Sequence, residues 1–195
     1  MSLTAGEQAA REALRARQGA GARYDAASAP AEDLLLARRG TAYFARKLGE
    51  LSDAELDAPS LREDVRRRAL IAQVGYHARA LAQQVAAARA GEAVQPISPK
   101  TYRNEIAQGA TLPPRALCSL VHHAAIHLDV EWRDLTGDGW ELSVPLDGAE
   151  ATPLRQTPRL RARVVWQGAL DLGNGGRLAD VPADLRAELA LPGGR

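Results

Sequence analysis

The sequence predicts a mainly α fold, a four-helix bundle with a small β-hairpin before the last long helix. Three observations carry this. Apolar residues recur three and four apart over roughly the first two thirds of the 195 residues. The stretches that show this period are long and are separated by glycine and proline, with no internal repeat. Only between Trp140 and Thr157 does the pattern change to alternation, and the helical period then returns.

The elements follow in order. "TAGEQAAREALRARQGAG" has Thr4 as N-cap and stops at Gly19 and Gly21, a short charged first helix. "SAPAEDLLLARRGTAYFARKLGEL" places Leu34, Leu35, Tyr43, Phe44, Leu48 and Leu51 on a helical stripe across Gly40. "DAPSLREDVRRRALIAQVGYHARALAQQVAAARAGE" reads as the longest helix, ending at Gly91, with Val65, Leu70, Val74, His77, Leu81 and Val85 near one face. A short helix opens at Ser98 and Pro99, and a longer one begins at Pro113 and Pro114 with Leu117, Leu120, Val121, Ala124, Leu128 and Trp132 inward. "WELSVPL" and "TPLRQT" form the hairpin around "DGAEA", "RARVVWQGALDLGNGG" is the last long helix with a glycine stop, and "VPADLRAELAL" closes the chain. The residues are expected to form one domain, 1–195.

Composition excludes several classes. Lys+Arg 25 against Asp+Glu 24 gives a formal charge of +1, and aromatic residues are few, so neither the field nor the stacking surface for nucleic acid is expected. One cysteine, Cys118, excludes an internal disulfide framework and a cysteine-rich zinc site. No signal-like or membrane-length apolar run is present, so the expectation is a cytoplasmic protein with a small-molecule ligand and no membrane partner. The oligomeric state is left open, a homodimer included.

Some residues invite chemistry on their own. Arg62, Arg66, Arg67 and Arg68 read either as a phosphate-binding run or as a solvated helix face, the second being the commoner use of such runs. His123 and His127 share a helix face, and His122, His123 and His127 leave a metal site open, against the commoner reading of packed histidines. Cys118 precedes His122 by one turn, which permits a thiolate–imidazolium pair, while an inert buried thiol is the simpler reading. Glu131, Arg133 and Asp134 are expected to hold a helix end, with Trp132 as packing. Val164 and Gly168, four apart on one face, carry no chemistry.

Several phrases together, "LRARQGAGARYDA", "APAEDLLLARRGTAYFARKL", "IAQVGYHARAL", "EIAQGATLPPRAL", "HLDVEWRDL" and "ARVVWQGALDLG", resemble the DinB-like metal-binding bundle domain of mycothiol-dependent maleylpyruvate isomerase over nearly the whole chain. The resemblance implies a cis–trans isomerisation by a thiol cofactor that a divalent metal, generally zinc, activates. It also implies a metal held by a histidine of the long helix and by a glutamate and a histidine four apart on the later one. Gln73, Val164 and Gly168 stand at those three positions, so zinc is not expected, mycothiol stays possible, and the smaller second domain of many relatives is expected to be absent. Arg103 matches a family arginine near the substrate, and His77, one turn after Gln73, faces the same place as a candidate base. The expected catalytic residues are therefore His77 and Arg103, with Gln73, Tyr76, Tyr102, Val164 and Gly168 binding substrate. The reading is a metal-independent isomerase or cyclase-like enzyme for a small anionic or polyene substrate, the alternative a noncatalytic ligand-binding or partner-binding module.

Overall fold

The computed structural model describes residues 6, 25–94, 96, 98–146 and 151–190. Helices α1 (Ala31–Gly49) and α2 (Arg67–Ala90) are followed by the shorter α3 (Pro99–Ala110) and by α4 (Pro114–Asp134). Strands β1 (Ser143–Pro145) and β2 (Ala151–Pro153) pair antiparallel, Val144 opposite Thr152. Helix α5 (Thr157–Asp171) and a final short α6 (Ala183–Ala190) complete the described chain. The bundle consists of α1, α2, α4 and α5: α2 packs along α4, α1 along α5, α3 leans on α2, and α2 and α5 meet across the middle. The hairpin stands before the last long helix, as the change of period predicts. The expected first helix lies, Gly6 apart, outside the described residues, and so do residues 147–150 of the hairpin turn.

Each boundary has a local cause. Helix α2 ends at Gly91, whose φ of 70° is left-handed and lets its N–H reach the carbonyls of Ala87 and Ala88. Its start differs from the sequence expectation: a 3-10 turn at Glu55–Asp57 and a bridge between Pro59 and Arg66 precede it, so Val65 lies in a loop. Ser60 closes that loop, with its N–H and its hydroxyl both donated to the Val65 carbonyl, at 3.0 and 2.7 Å. Leu35 also departs from its assigned stripe: it is 54% exposed, because α1 turns Leu34, Ala37, Gly40, Phe44 and Leu48 inward.

The α1–α5 seam is the tightest in the fold. Tyr43 stacks on Trp166 with ring centroids 4.9 Å apart, and the Trp166 indole N–H donates to the Leu36 carbonyl at 3.1 Å. Gly40 lies directly under them. A Cβ at residue 40 would stand 2.5 Å from Val165 Cγ2 and 2.7 Å from the Trp166 ring, closer than real Cβ contacts come. Ion pairs fasten the outside: Arg38 joins Asp25 and Asp129, each at 2.7 Å, and Arg159 of α5 reaches Asp33 of α1 and Glu188 of α6.

Gly40→Ala is accordingly expected to destabilise the fold by about 1–3 kcal/mol, the usual cost of overpacking, despite alanine's better helix propensity. Gly49→Ala, with nothing within 4 Å of its added carbon, serves as the control and should lose no stability. Urea unfolding of the two variants beside the wild type measures both.

Candidate functional site

A cavity of about 500 Å³ opens between α2, α3 and α5. Helix α2 contributes Gln73, His77 and Gln84 from one face, α5 contributes Val164, Gln167, Gly168 and Asp171, α3 contributes Tyr102, and the loop before α2 contributes Arg62. Apolar wall is supplied by Leu70, Val74, Leu81 and Leu160. Such a mostly apolar cleft with a few convergent polar groups is the ordinary form of a small-molecule site.

The mouth is organised around Arg62. Its guanidinium donates to Gln73 Oε1 at 2.8 Å and lies 4.0 Å from Asp171. Asp171 also accepts from the Gln167 amide at 2.7 Å, and its carbonyl accepts the Leu61 N–H at 2.7 Å, which ties the loop to the end of α5. The arginine run serves that same helix end. Arg67 donates to the carbonyls of Leu172 and Gly173, and Arg68 binds Asp57 and the Leu112 carbonyl. Arg62, Arg67 and Arg68 are therefore anchors rather than a free phosphate-binding run or a solvated face, while Arg66 is exposed and, among the described residues, reaches only the Asp57 carbonyl.

Behind the wall sits Arg161, 1% exposed. It donates to the Val74 carbonyl at 2.7 Å, its second terminal nitrogen has no partner, and among the described residues no carboxylate pairs with it. Burial lowers its pKa to about 10, which still leaves it charged at neutral pH. His77 feels this directly. Desolvation first, then the Arg161 charge, pull the imidazole down to about 3, so it is neutral. Its Nδ1 is sealed from water without a partner. The Gln84 amide donates to the Pro145 carbonyl at 3.2 Å, and its buried oxygen has no partner.

The nominated residues divide. Gln73, His77, Tyr102, Val164 and Gly168 come together on this one cavity, with the Tyr102 hydroxyl donating to the Gln73 carbonyl at 3.3 Å. Tyr76 and Arg103 do not line it. Tyr76 lies against Gly109 and under Arg79, and Arg103 is exposed because α3, having turned Tyr102 inward, carries the next residue some 100° round the helix. His122, His123 and His127 stay on the solvent side of α4, His127 beside Glu131, and no cluster of three metal-ligating side chains occurs among the described residues. The Cys118 thiol is pushed up by burial and by Asp53, against the activation a nucleophile needs. Glu131 instead binds Arg89 at 3.0 Å, and the Trp132 indole donates to Thr157 at 3.0 Å. Sequence reasoning weighed Arg62 only as a member of a charge run and missed Arg161. A signal for the second existed: Arg161, Val165 and Gly168 follow the i, i+4, i+7 spacing of one buried face.

Residues 37–173 match the family described as the mycothiol maleylpyruvate isomerase N-terminal domain. The chain belongs to this family. Two solved structures support the assignment, one of mycothiol-dependent maleylpyruvate isomerase and one of a histidine-to-alanine mutant of it. Each is 37% identical to this chain with a TM-score of 0.77, over 82% of this chain and 67% of that one. The fold is thus the DinB-like bundle of these neighbours. Comparison with curated proteins gave no match.

The neutral His77 makes stability depend on acid. Between about 6.5 and 3 the unfolded chain takes up a proton at this residue and the folded chain does not, so stability falls as pH falls. Each pH unit below about 6 should cost up to about 1.4 kcal/mol. Unfolding at pH 7.0 and 5.0 should show a smaller acid loss in His77→Gln than in the wild type.

Proposed function

We propose that this chain binds a small organic anion in the cavity between α2, α3 and α5 and handles it without a metal ion, as an isomerase-like or cyclase-like member of its family. The carrying observation is a buried positive charge without a matching acid. Arg161 is buried behind the wall with no carboxylate partner among the described residues, Arg62 stands at the mouth 4.0 Å from Asp171, the single acid of the lining, and Arg163 joins the lining while pairing with Glu188 at 3.7 Å. An anionic ligand supplies the missing charge, and a guanidinium fork holds a carboxylate at two points.

The donor set does not fit zinc. Val164 and Gly168 have no side-chain lone pair, and the Gln73 oxygen is already taken by Arg62. The space has changed too: a Cβ at residue 168 would meet Val74 at 3.0 Å and Phe44 at 3.3 Å, so a ligating side chain there would displace core atoms. Mycothiol belongs among the candidate ligands, since the same arginines would favour a bound thiolate. The imidazole is no ready proton acceptor while His77 is held near 3, and the one lining carboxylate, Asp171, is engaged by Arg62 and Gln167; this favours the second reading, a binding protein without turnover.

Calorimetry with a panel of small carboxylates tests the anion. Arg62→Ala should weaken binding by about 1.5–3 kcal/mol, and Arg62→Lys by less, since it keeps the charge and loses the fork. Arg103→Ala on the outer face of α3 should leave affinity unchanged. Equal affinities for wild type and Arg62→Ala would overturn the reading.

Elemental analysis after growth in zinc-supplemented medium should find no stoichiometric zinc, and mycothiol-dependent maleylpyruvate isomerisation should stay at background. One tightly bound ion per chain, lost in a His123→Ala, His127→Ala variant, would move the metal to α4.

A further inference from the structure

The imidazole of His77 has two different sides. Its Nδ1 is sealed and without a partner, whereas the ring as a whole lines the cavity. A neutral imidazole carries one N–H and one lone pair, and its surroundings choose between the two arrangements. A proton on Nδ1 would be a buried donor with no acceptor, in the field of a guanidinium whose own nitrogen is also unpartnered. A lone pair on Nδ1 is instead compatible with the positive field of that guanidinium. The proton therefore belongs on Nε2, the ring nitrogen that is not sealed without a partner.

We propose that His77 serves the cavity as a neutral hydrogen-bond donor, held in the Nε2–H form by Arg161, and that the ligand carries an uncharged oxygen to accept from it. This rests on the anion-binding reading and adds the second half of the ligand. His77 then polarises or orients a carbonyl and transfers no proton, and Arg161 is a positioning residue that acts through it. The other titratable or charged groups lining the cavity are Arg62 of the loop, Tyr102 of α3, and Arg163 and Asp171 of α5; α4, α6 and the hairpin contribute none among the described residues. No acid stands against the ring to pull the proton back to Nδ1 or to charge it.

The two donors set the choice of probe. Arg62 is bonded to Gln73, and Gln73 and His77 are one helical turn apart on α2, roughly 5–6 Å between their Cβ atoms. A carboxylate that also carries a ketone, such as 4-oxopentanoate, therefore serves as the probe.

Two measurements decide it. Long-range proton–nitrogen NMR of the wild-type chain should show His77 protonated on Nε2 alone and unchanged from pH 5 to 8. In Arg161→Met the ring should begin to titrate closer to its ordinary range near 6.5. An Nδ1–H ring, or an imidazolium at pH 6 in the wild type, would overturn the proposal whether or not Arg161→Met folds. The second measurement compares 4-oxopentanoate with pentanoate by calorimetry. The ketone should bind about fivefold tighter, the worth of one neutral hydrogen bond. His77→Leu should bring it down to the level of pentanoate, and His77→Gln, which keeps a donor, should restore part of the preference. A preference that survives His77→Leu overturns the role of His77 and leaves the anion site standing. Loss of the Arg62 effect on both acids overturns the anion site itself.

Discussion

A guanidinium with no carboxylate partner among the described residues lies in the middle of this bundle, and the chemistry of the cavity follows from it. Arg161 gives up nearly all its water for one carbonyl of α2. A buried charge is costly unless it is paired or its surroundings are polar. Helix α2 answers with neutral groups, His77 and Gln84, on the face that borders the same space, and the acid nearest in sequence, Asp171, is held out at the mouth by Gln167. The interior keeps a positive potential, and the imidazole within it stays neutral.

That arrangement depends on α5 being unable to slide or rotate. Its far face is locked to α1 by the Trp166 indole on the Leu36 carbonyl and by the Tyr43 stack over Gly40. Its C-terminal carbonyls are held by Arg67 and its last acid by the loop before α2. With both ends and one face fixed, Val164 and Gly168 must look into the cavity and Arg161 must point across to α2. The packing of the seam thus sets the electrostatics of a site on the opposite side of the helix.

The fold was legible because amphipathic period, proline starts and glycine stops agree along the chain: Gly91 ends α2 where the sequence says, and alternation marks the hairpin. The start of α2 was not, since Ser60 folds the loop back through side-chain hydrogen bonds that no period reveals. Family resemblance located Gln73, Val164 and Gly168, which do share the cavity, because helical phase carries such positions faithfully. Arg103, which the resemblance also named, and Tyr76 lie outside that lining, where a single step round a helix separates the two. Arg62 was hidden in a charge run whose members differ only in what they reach in three dimensions. Arg161 was hidden by the rule that arginines are exposed.

The difference between a metal ion and an arginine bears on what the proposed site can do. A metal polarises an oxygen and ionises a bound thiol or water at neutral pH. An arginine neutralises and orients an anion but accepts no lone pair into a coordination shell, and it offers no such acidification. On the reading proposed above, a site that has Arg62 bonded to Gln73, with Val74 and Phe44 closing on Gly168, serves to hold and polarise an organic anion. Any rearrangement it promotes must be one in which the ligand's own carbonyl accepts electron density, and a neutral N–H beside that oxygen is the group such a step needs.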